Sequence, residues 1–253
     1  MHSGKQMEQR EIDLNDAILA SLLLLKPVLV TSANPSRSLQ RVVEILGKWP
    51  GIQPNITFEP THAGLSVFTI DDSDLTEQLK IHKAIRRHEY PLILFRKKNA
   101  YLSDKLKSQI LFELEDDITK ATPEILMNGS IVAAREKVSK VTITTEVQTY
   151  IYDLVVELRY SRFIRGGIPT YILFDLMAFV KFWAFRLGKQ FATPLISKAC
   201  LRIVLPLRIH LITPEEDPTL MYGSDLTLVT QLVNAISVQD AIDIAITKVR
   251  PPI

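Results

Sequence analysis

Three short apolar runs, each followed by a helical pattern, restrict the fold of this chain more than any other feature. PVLVTS (27–32), LSVFTI (65–70) and PLILF (91–95) each fit a buried strand. Residues at helical spacing follow them at 36–49 and 73–88 and again from about residue 104, leading into the short apolar piece ILFEL. Strands that alternate with helices predict a parallel or mostly parallel sheet in an α/β layer.

The second half of the chain has a helical pattern only. Thr122-Pro123 and Thr193-Pro194 each combine a good N-cap with proline at the first helical position, and Thr145 with Gln148 fits a capping box. Beyond about residue 120 no strand pattern is convincing. The sequence therefore predicts two parts, an α/β core over 11–120 and an all-helical domain over 121–253.

Composition and charge exclude several classes of function. The net charge of +2 does not call for a nucleic acid or an anionic membrane as partner. Cys200 is the one cysteine, so an internal disulfide and a Cys-based zinc site are excluded, and the five histidines are scattered; no metal site is expected. The apolar stretches end too early or carry charges such as Asp175 and Lys181, which favours buried helices over membrane spans.

The segment VLVTSANPSRSLQRVVEIL (28–46) has the layout of a phosphate-binding loop. A strand leads into small polar residues, a basic residue followed by serine, and then a helix, yet the segment contains no glycine. Taken by itself it fits a nucleotide site, the remains of one, or an ordinary strand–turn–helix.

A resemblance to a known family comes from residues 141–209. Tyr150-Ile151-Tyr152-Asp153-Leu154-Val155, then Gly166-Gly167-Ile168-Pro169-Thr170, then Gly188 to Pro194 follow the order of motifs in the lid domain of MoxR-type and magnesium-chelatase-type AAA+ ATPases. The resemblance implies an AAA+-like parallel sheet layer with a degenerate P-loop, followed by a helical lid.

The same resemblance assigns a register to the loop upstream. Aligned on Ser38, the two glycine positions of the P-loop are occupied by Thr31 and Ser36, and the lysine position by Arg37. VFTIDD resembles the Walker B run, which places Asp71 at the metal-binding position and Asp72 at the catalytic glutamate.

Two further positions are implied by the alignment. Asn99 corresponds to the sensor-1 residue, and Thr170 replaces the sensor-2 arginine. Threonine is unfavourable where the loop needs positive φ or a close approach to phosphate, and aspartate is one methylene shorter than glutamate. A lost sensor-2 arginine removes a partner for the charge of the transition state. Together these substitutions predict that the chain does not hydrolyse ATP.

The C-terminal residues carry a closer resemblance. LMYGSDLTLVTQLV (220–233) and the terminal TKVRPPI are similar to the end of the fungal family called maintenance of telomere capping protein 2. That resemblance implies a role in telomere capping, in the nucleus or the cytoplasm, and supplies no molecular activity.

Three functional hypotheses follow. The first is a non-catalytic AAA+-like scaffold that binds protein partners and needs no cofactor. The second is a switch that binds ATP with Mg²⁺ weakly through Arg37, Ser38 and Asp71. The third is a telomeric DNA-binding adaptor that uses the basic segment 86–107, which the balanced charge of the chain does not favour. The oligomeric state stays open.

Overall fold

The chain folds into two compact units, Met1–Lys140 and Val141–Ile253. The computed structural model describes residues 12–47, 53–55, 64–70, 75–87, 91–116 and 130–252. Thr122 and Pro123, predicted as a helix start, lie outside these ranges. The first unit extends to Lys140 and includes helix Ile131–Lys140, which packs on helix Leu14–Leu24. There the guanidinium of Arg135 donates to the carbonyl of Leu22 at 2.9 and 2.7 Å.

The first unit alternates helices and strands. Its elements in chain order are α1 (Leu14–Leu24), β1 (Pro27–Ser32), α2 (Pro35–Gly47), β2 (Gln53–Asn55), β3 (Gly64–Thr69), α3 (Leu75–Arg87), β4 (Leu92–Lys97), α4 (Asp104–Lys107), β5 (Glu113–Glu115) and α5 (Ile131–Lys140). The predicted strands at 27–32, 65–70 and 91–95 are therefore confirmed to within one or two residues.

The strands form one parallel sheet in the order β2-β3-β4-β1-β5. The register pairs Val30 with Phe95 and Leu114, so the carboxyl ends of β1, β4 and β5 lie at one edge. β1 stands between β4 and β5, and the chain passes over it in going from β4 to β5. Such a reversal in strand order is where the open sheets of α/β proteins place their ligand crevices.

The sheet is buried on both faces, as a parallel sheet requires. α1 and α2 cover one face, where Ile18 and Val42 pack in one cluster with Val30, Ile93 and Phe95. Alternate strand residues such as Leu29, Leu92 and Leu94 point the other way by the two-residue period and are as fully buried.

Helices are the regular elements of the second unit among its described residues, apart from two isolated bridges. It contains α6 (Thr145–Arg159), α7 (Ile172–Arg186), α8 (Pro194–Val204), three 3₁₀ turns (Pro206–Arg208, Pro214–Glu216 and Pro218–Tyr222), α9 (Leu226–Ala235) and α10 (Val238–Lys248). The predicted α/β layer followed by a helical domain is confirmed.

α7 supplies the centre of the second core. The stripe predicted for this helix is buried at every position, with at most 2% exposure for Ile172, Leu176, Phe179, Val180 and Trp183. Thr193 caps α8 and Pro194 opens it, as predicted. The cap of α6 is Thr144, which accepts from the N–H of Val147, one residue before the predicted Thr145. Among the described residues no helix is long and apolar enough to cross a membrane.

Candidate functional site

The segment with the layout of a phosphate loop forms a tight turn. β1 continues through Ser32 and α2 begins at Pro35, so only Ala33 and Asn34 connect them. Thr31 therefore lies inside the strand, and Ser36, Arg37 and Ser38 lie in the first turn of the helix. A connection of two residues leaves no open loop of backbone N–H groups of the kind that wraps a phosphate.

Asn34 accepts hydrogen bonds from the backbone N–H groups at the start of α2. Its side-chain oxygen accepts from the N–H of Arg37 at 3.4 Å, and its carbonyl accepts from Arg37 and Ser38, each at 3.2 Å. Its own N–H donates to the hydroxyl of Ser32 at 3.2 Å. Pro35 has no N–H to offer. Asn34 thus caps the start of α2, and asparagine is a common residue at this position of a helix.

Ser38, the residue predicted to survive from a P-loop, is buried against a carboxylate. Its hydroxyl lies 2.7 Å from Oδ2 of Asp116 and 2.9 Å from the hydroxyl of Ser32. A serine hydroxyl has one proton, so Ser38 donates it to Asp116 and accepts from Ser32. Nη1 of Arg41 lies 3.7 Å from the other oxygen of Asp116, whose side chain is 7% exposed.

Thr31 belongs to a second group at the same edge. Its hydroxyl donates to Oε1 of Glu113 in a short hydrogen bond and accepts from Nε of Arg96 at 3.1 Å. Arg96 also donates through Nη2 to Glu113 at 2.6 Å and through Nη1 to the carbonyl of Ala100 at 3.0 Å. The guanidinium therefore holds the ends of β1, β4 and β5 together.

We call these side chains the edge network: Thr31, Ser32, Ser38, Arg41, Arg96, Glu113 and Asp116. Two carboxylates face two guanidinium groups, so the network is balanced in charge within the chain. Five of its members, Ser32, Arg41, Arg96, Glu113 and Asp116, were not predicted as residues of a nucleotide site. The local signal for Glu113 and Asp116 is the acidic run that ends ILFELEDD, which resembles the acidic end of VFTIDD.

Of the remaining predicted positions, the structure describes Asn99 and Thr170. Asp71 and Asp72 lie outside the described residues. Asn99 is exposed and has a φ of 65°, in a turn closed by the N–H of Ala100 and the carbonyl of Lys97 at 3.0 Å. Thr170 is exposed, and its hydroxyl accepts from Nη2 of Arg159 at 3.3 Å.

The basic segment is largely paired with carboxylates of the chain. Of its five basic residues between 95 and 107, Arg96 pairs with Glu113, Lys98 with Glu115 and Lys107 with Asp104. The side chains of Arg86 and Arg87 lie outside the described residues. No group of three or more His, Cys, Asp or Glu side chains in the described ranges could hold a metal ion.

Comparison with solved structures identifies the fold. A proposed ATPase from Cytophaga hutchinsonii superposes with a TM-score of 0.57 at 13% identity, covering 87% of this chain and 87% of that chain. A full-length MCM homologue from Methanopyrus kandleri superposes with a TM-score of 0.54 at 9% identity, covering 77% of this chain and 55% of that one. Both neighbours are AAA+ ATPases, and at these identities the likeness concerns the fold alone.

Comparison of sequences identifies relatives. No protein-family model matches the chain. Maintenance of telomere capping protein 2 of Kluyveromyces lactis is 30% identical over 185 residues, 69% of this chain and 65% of that protein. The protein of the same name from Lachancea thermotolerans is 29% identical over 141 residues, 54% of this chain and 49% of that protein.

This chain is a homologue of the maintenance of telomere capping protein 2 proteins. It spans about two thirds of one of these relatives and about half of the other. The resemblance predicted from the C-terminal residues and from the AAA+ lid is therefore confirmed.

Proposed function

We propose that this protein is a non-catalytic AAA+-like scaffold that acts in telomere capping through contacts with other proteins. In this proposal the sheet and the helical unit keep the architecture of an ATPase, and the site where a nucleotide would bind serves to hold the sheet edge together. The protein acts in the nucleus and needs no nucleotide or metal.

The hydrogen bond between Ser38 and Asp116 is the observation that carries this proposal. In a P-loop the serine at this position faces Mg²⁺. Here its hydroxyl is buried and donates to a carboxylate of the chain. A phosphate oxygen placed near Ser38 would lie within about 5–6 Å of Asp116, and the repulsion between them is about 3 kcal/mol at an effective dielectric constant of about 20.

The capped start of α2 supports the same conclusion. A phosphate would have to replace Asn34 as acceptor for the N–H of Arg37, and the two-residue turn would have to open. Ala33 and Ser36 carry the two N–H groups of this turn for which the described residues provide no acceptor, which leaves two backbone donors for an anion. Two donors and the exposed Arg37 make a poor substitute for a loop of N–H groups and a lysine.

The telomeric setting rests on the relatives. Both are named for the maintenance of telomere capping, and the shared segment covers 69% and 54% of this chain. Telomeric proteins work in the nucleus, which supports a nuclear site of action. Scaffolding is favoured over DNA binding because three of the five basic residues between 95 and 107 are neutralised by carboxylates of the chain.

Nucleotide titration tests the non-catalytic part of the proposal. Melting temperature and binding of a fluorescent ATP analogue are measured with Mg²⁺ up to millimolar nucleotide, for the wild type and for Arg37→Ala. Arg37 is a suitable site because its side chain is exposed and outside the edge network. We expect no shift and no saturable binding in either protein. A saturable signal in the wild type that Arg37→Ala abolishes supports the nucleotide switch and overturns the scaffold.

A complementation experiment tests the telomeric part. Cells lacking the endogenous protein show a telomere-capping defect if the homology holds for function, and the wild-type chain is expected to correct it. Arg37→Ala is expected to correct it equally, since the proposal gives nucleotide contacts no role. Failure of Arg37→Ala at normal protein levels refutes a nucleotide-independent mechanism, and failure of the wild type refutes the telomeric role.

A further inference from the structure

A series of hydrogen bonds in the turn between β1 and α2 ends at the carboxylate of Asp116. The N–H of Asn34 donates to the hydroxyl of Ser32 at 3.2 Å, and that hydroxyl lies 2.9 Å from the hydroxyl of Ser38. Ser38 donates its single proton to Oδ2 of Asp116 at 2.7 Å, so Ser32 donates to Ser38. Hydrogen bonds in series strengthen one another, and the last donor of this series points at an anion.

Arg41 adds a positive charge at the same place. It follows Ser38 by three residues on α2, which puts both side chains on one face of the helix. Its Nη1 lies 3.7 Å from Oδ1 of Asp116. Ser32 and Ser38 are buried, and the Asp116 side chain is 7% exposed. Buried hydroxyl groups next to a guanidinium are a suitable donor set for a small oxyanion.

The donors and the anion belong to different parts of the chain. Ser32, Ser38 and Arg41 lie in the continuous segment that forms β1 and α2, whereas Asp116 follows β5, 78 residues after Ser38. β5 is a strand of three residues at the edge of the sheet, where it pairs with β1. One segment thus forms the site and another fills it, which is the relation between a receptor and a ligand tethered to it.

We propose that Asp116 is the tethered ligand of an oxyanion site formed by Ser32, Ser38 and Arg41, and that it excludes free oxyanions from this site. The proposal rests on the non-catalytic function proposed above and explains why the site is closed to phosphate. A free oxyanion of carboxylate or phosphate size enters only when the end of β5 is withdrawn or its carboxylate is removed. A nucleotide still does not bind, because the turn capped by Asn34 is too short to hold a triphosphate.

Rescue of Asp116→Ala by formate tests the proposal, because formate has the charge and size of the carboxylate that the variant lacks. With a dissociation constant of about 10 mM, about 100 mM formate is expected to raise the folded-to-unfolded ratio of the full-length variant about tenfold. Urea unfolding measures this ratio against chloride at equal ionic strength, and inorganic phosphate is expected to act in the same direction. The wild type, whose site is filled, is expected to give no saturable response. If Asp116→Ala does not fold in chloride, refolding in formate is the equivalent result.

Two further variants show whether the anion acts at this site. Glu115→Ala removes the neighbouring carboxylate, which is exposed and pairs with Lys98, and formate is expected not to stabilise it. The double variant Asp116→Ala, Ser38→Ala lacks one donor to the anion, which weakens binding about tenfold, so about 100 mM formate is expected to raise the ratio only about twofold.

The tethered ligand is overturned by an absent response of Asp116→Ala, by an equal response of Glu115→Ala, or by a response that Ser38→Ala leaves unchanged. Each of these results leaves the non-catalytic function standing. That function is overturned separately, by binding of ATP to the wild type.

Discussion

Ser38 Oγ and Asp116 Oδ2 lie 2.7 Å apart, although 78 residues separate them in the sequence. The bond joins the first turn of α2 to the residue that follows β5, so the helix start and the sheet edge are tied together at the place where a nucleotide phosphate would otherwise bind. Three of the predictions below follow from buried polar contacts of this kind.

Replacement of Asp116 by alanine is expected to lower the free energy of unfolding by about 1–3 kcal/mol. The variant leaves the buried hydroxyl of Ser38 without its acceptor and removes the carboxylate that faces Arg41. Urea unfolding followed by circular dichroism measures the effect. Because the proposed role is structural, Asp116→Ala is not expected to create nucleotide binding, since Asn34 still caps α2.

Glu115→Gln is the control for this prediction. Glu115 is adjacent in sequence and pairs with Lys98, but the two side chains are 65% and 60% exposed. An exposed ion pair contributes at most about 0.5–1 kcal/mol. Equal destabilisation by Asp116→Ala and Glu115→Gln would contradict the assignment of Asp116 to a buried network.

The buried pair of Arg208 and Asp175 is expected to be the most sensitive polar contact of the second unit. Nη2 of Arg208 donates to Oδ2 of Asp175 at 2.8 Å, with the side chains 3% and 12% exposed. Burial lowers the pKa of Arg208, and the charge of Asp175 opposes that effect. Arg208→Met is expected to cost about 3–5 kcal/mol, because it leaves a buried carboxylate without its cation.

The double variant Arg208→Met, Asp175→Leu distinguishes the loss of the ion pair from the loss of side-chain packing. It is expected to recover part of that loss, since neither charge remains buried. Fluorescence of Trp183, which lies in the core of the second unit, reports its unfolding, with Trp49→Phe as the background. A double variant as unstable as Arg208→Met would indicate that packing, not charge, is responsible.

Cys200 is expected to be inert in the folded protein. It is fully buried in α8, and burial raises the pKa of its thiol well above its ordinary value, so the reactive thiolate is scarce. Reaction with a thiol reagent at pH 8 is expected to be at least about 100-fold slower in the folded protein than in urea. Comparable rates in the two states would show that the second unit opens readily around α8.

The fold was predictable from local pattern, and the site was not. Strands such as 27–32 and the stripe of α7 follow from periodicity, because burial of one face fixes the spacing of apolar residues in the sequence. The alignment that placed Ser38 at a P-loop position depended on the resemblance of the second unit to an AAA+ lid. That alignment did not reveal that only two residues connect β1 to α2. Arg96 and Asp116 became visible only in the folded chain, since side-chain partners far apart in sequence leave no periodic signal.

The stability contributed by Asp217 is expected to disappear in acid. Hydrogen bonds from Thr219 and then Arg162 lower the pKa of this carboxyl from its ordinary 3.8 to about 2. Oδ2 of Asp217 accepts from Arg162 at 2.7 Å, and Oδ1 accepts from the N–H of Thr219 at 2.9 Å. A carboxyl whose pKa is lower in the folded than in the unfolded state stabilises the folded state fully at pH values above its unfolded-state pKa. This contribution decreases as the pH falls and is lost below about pH 2.

Asp217→Asn should therefore differ most from the wild type at about pH 6 and converge on it between about pH 4 and pH 2. Unfolding followed through Trp183 gives the difference at each pH. Asp243→Asn is the control, because its pair with Arg202 is exposed, and it is expected to change the free energy by less than about 0.5 kcal/mol at pH 6. A difference for Asp217→Asn that stays constant down to pH 2.5 would show that the lost charge is not what destabilises the variant.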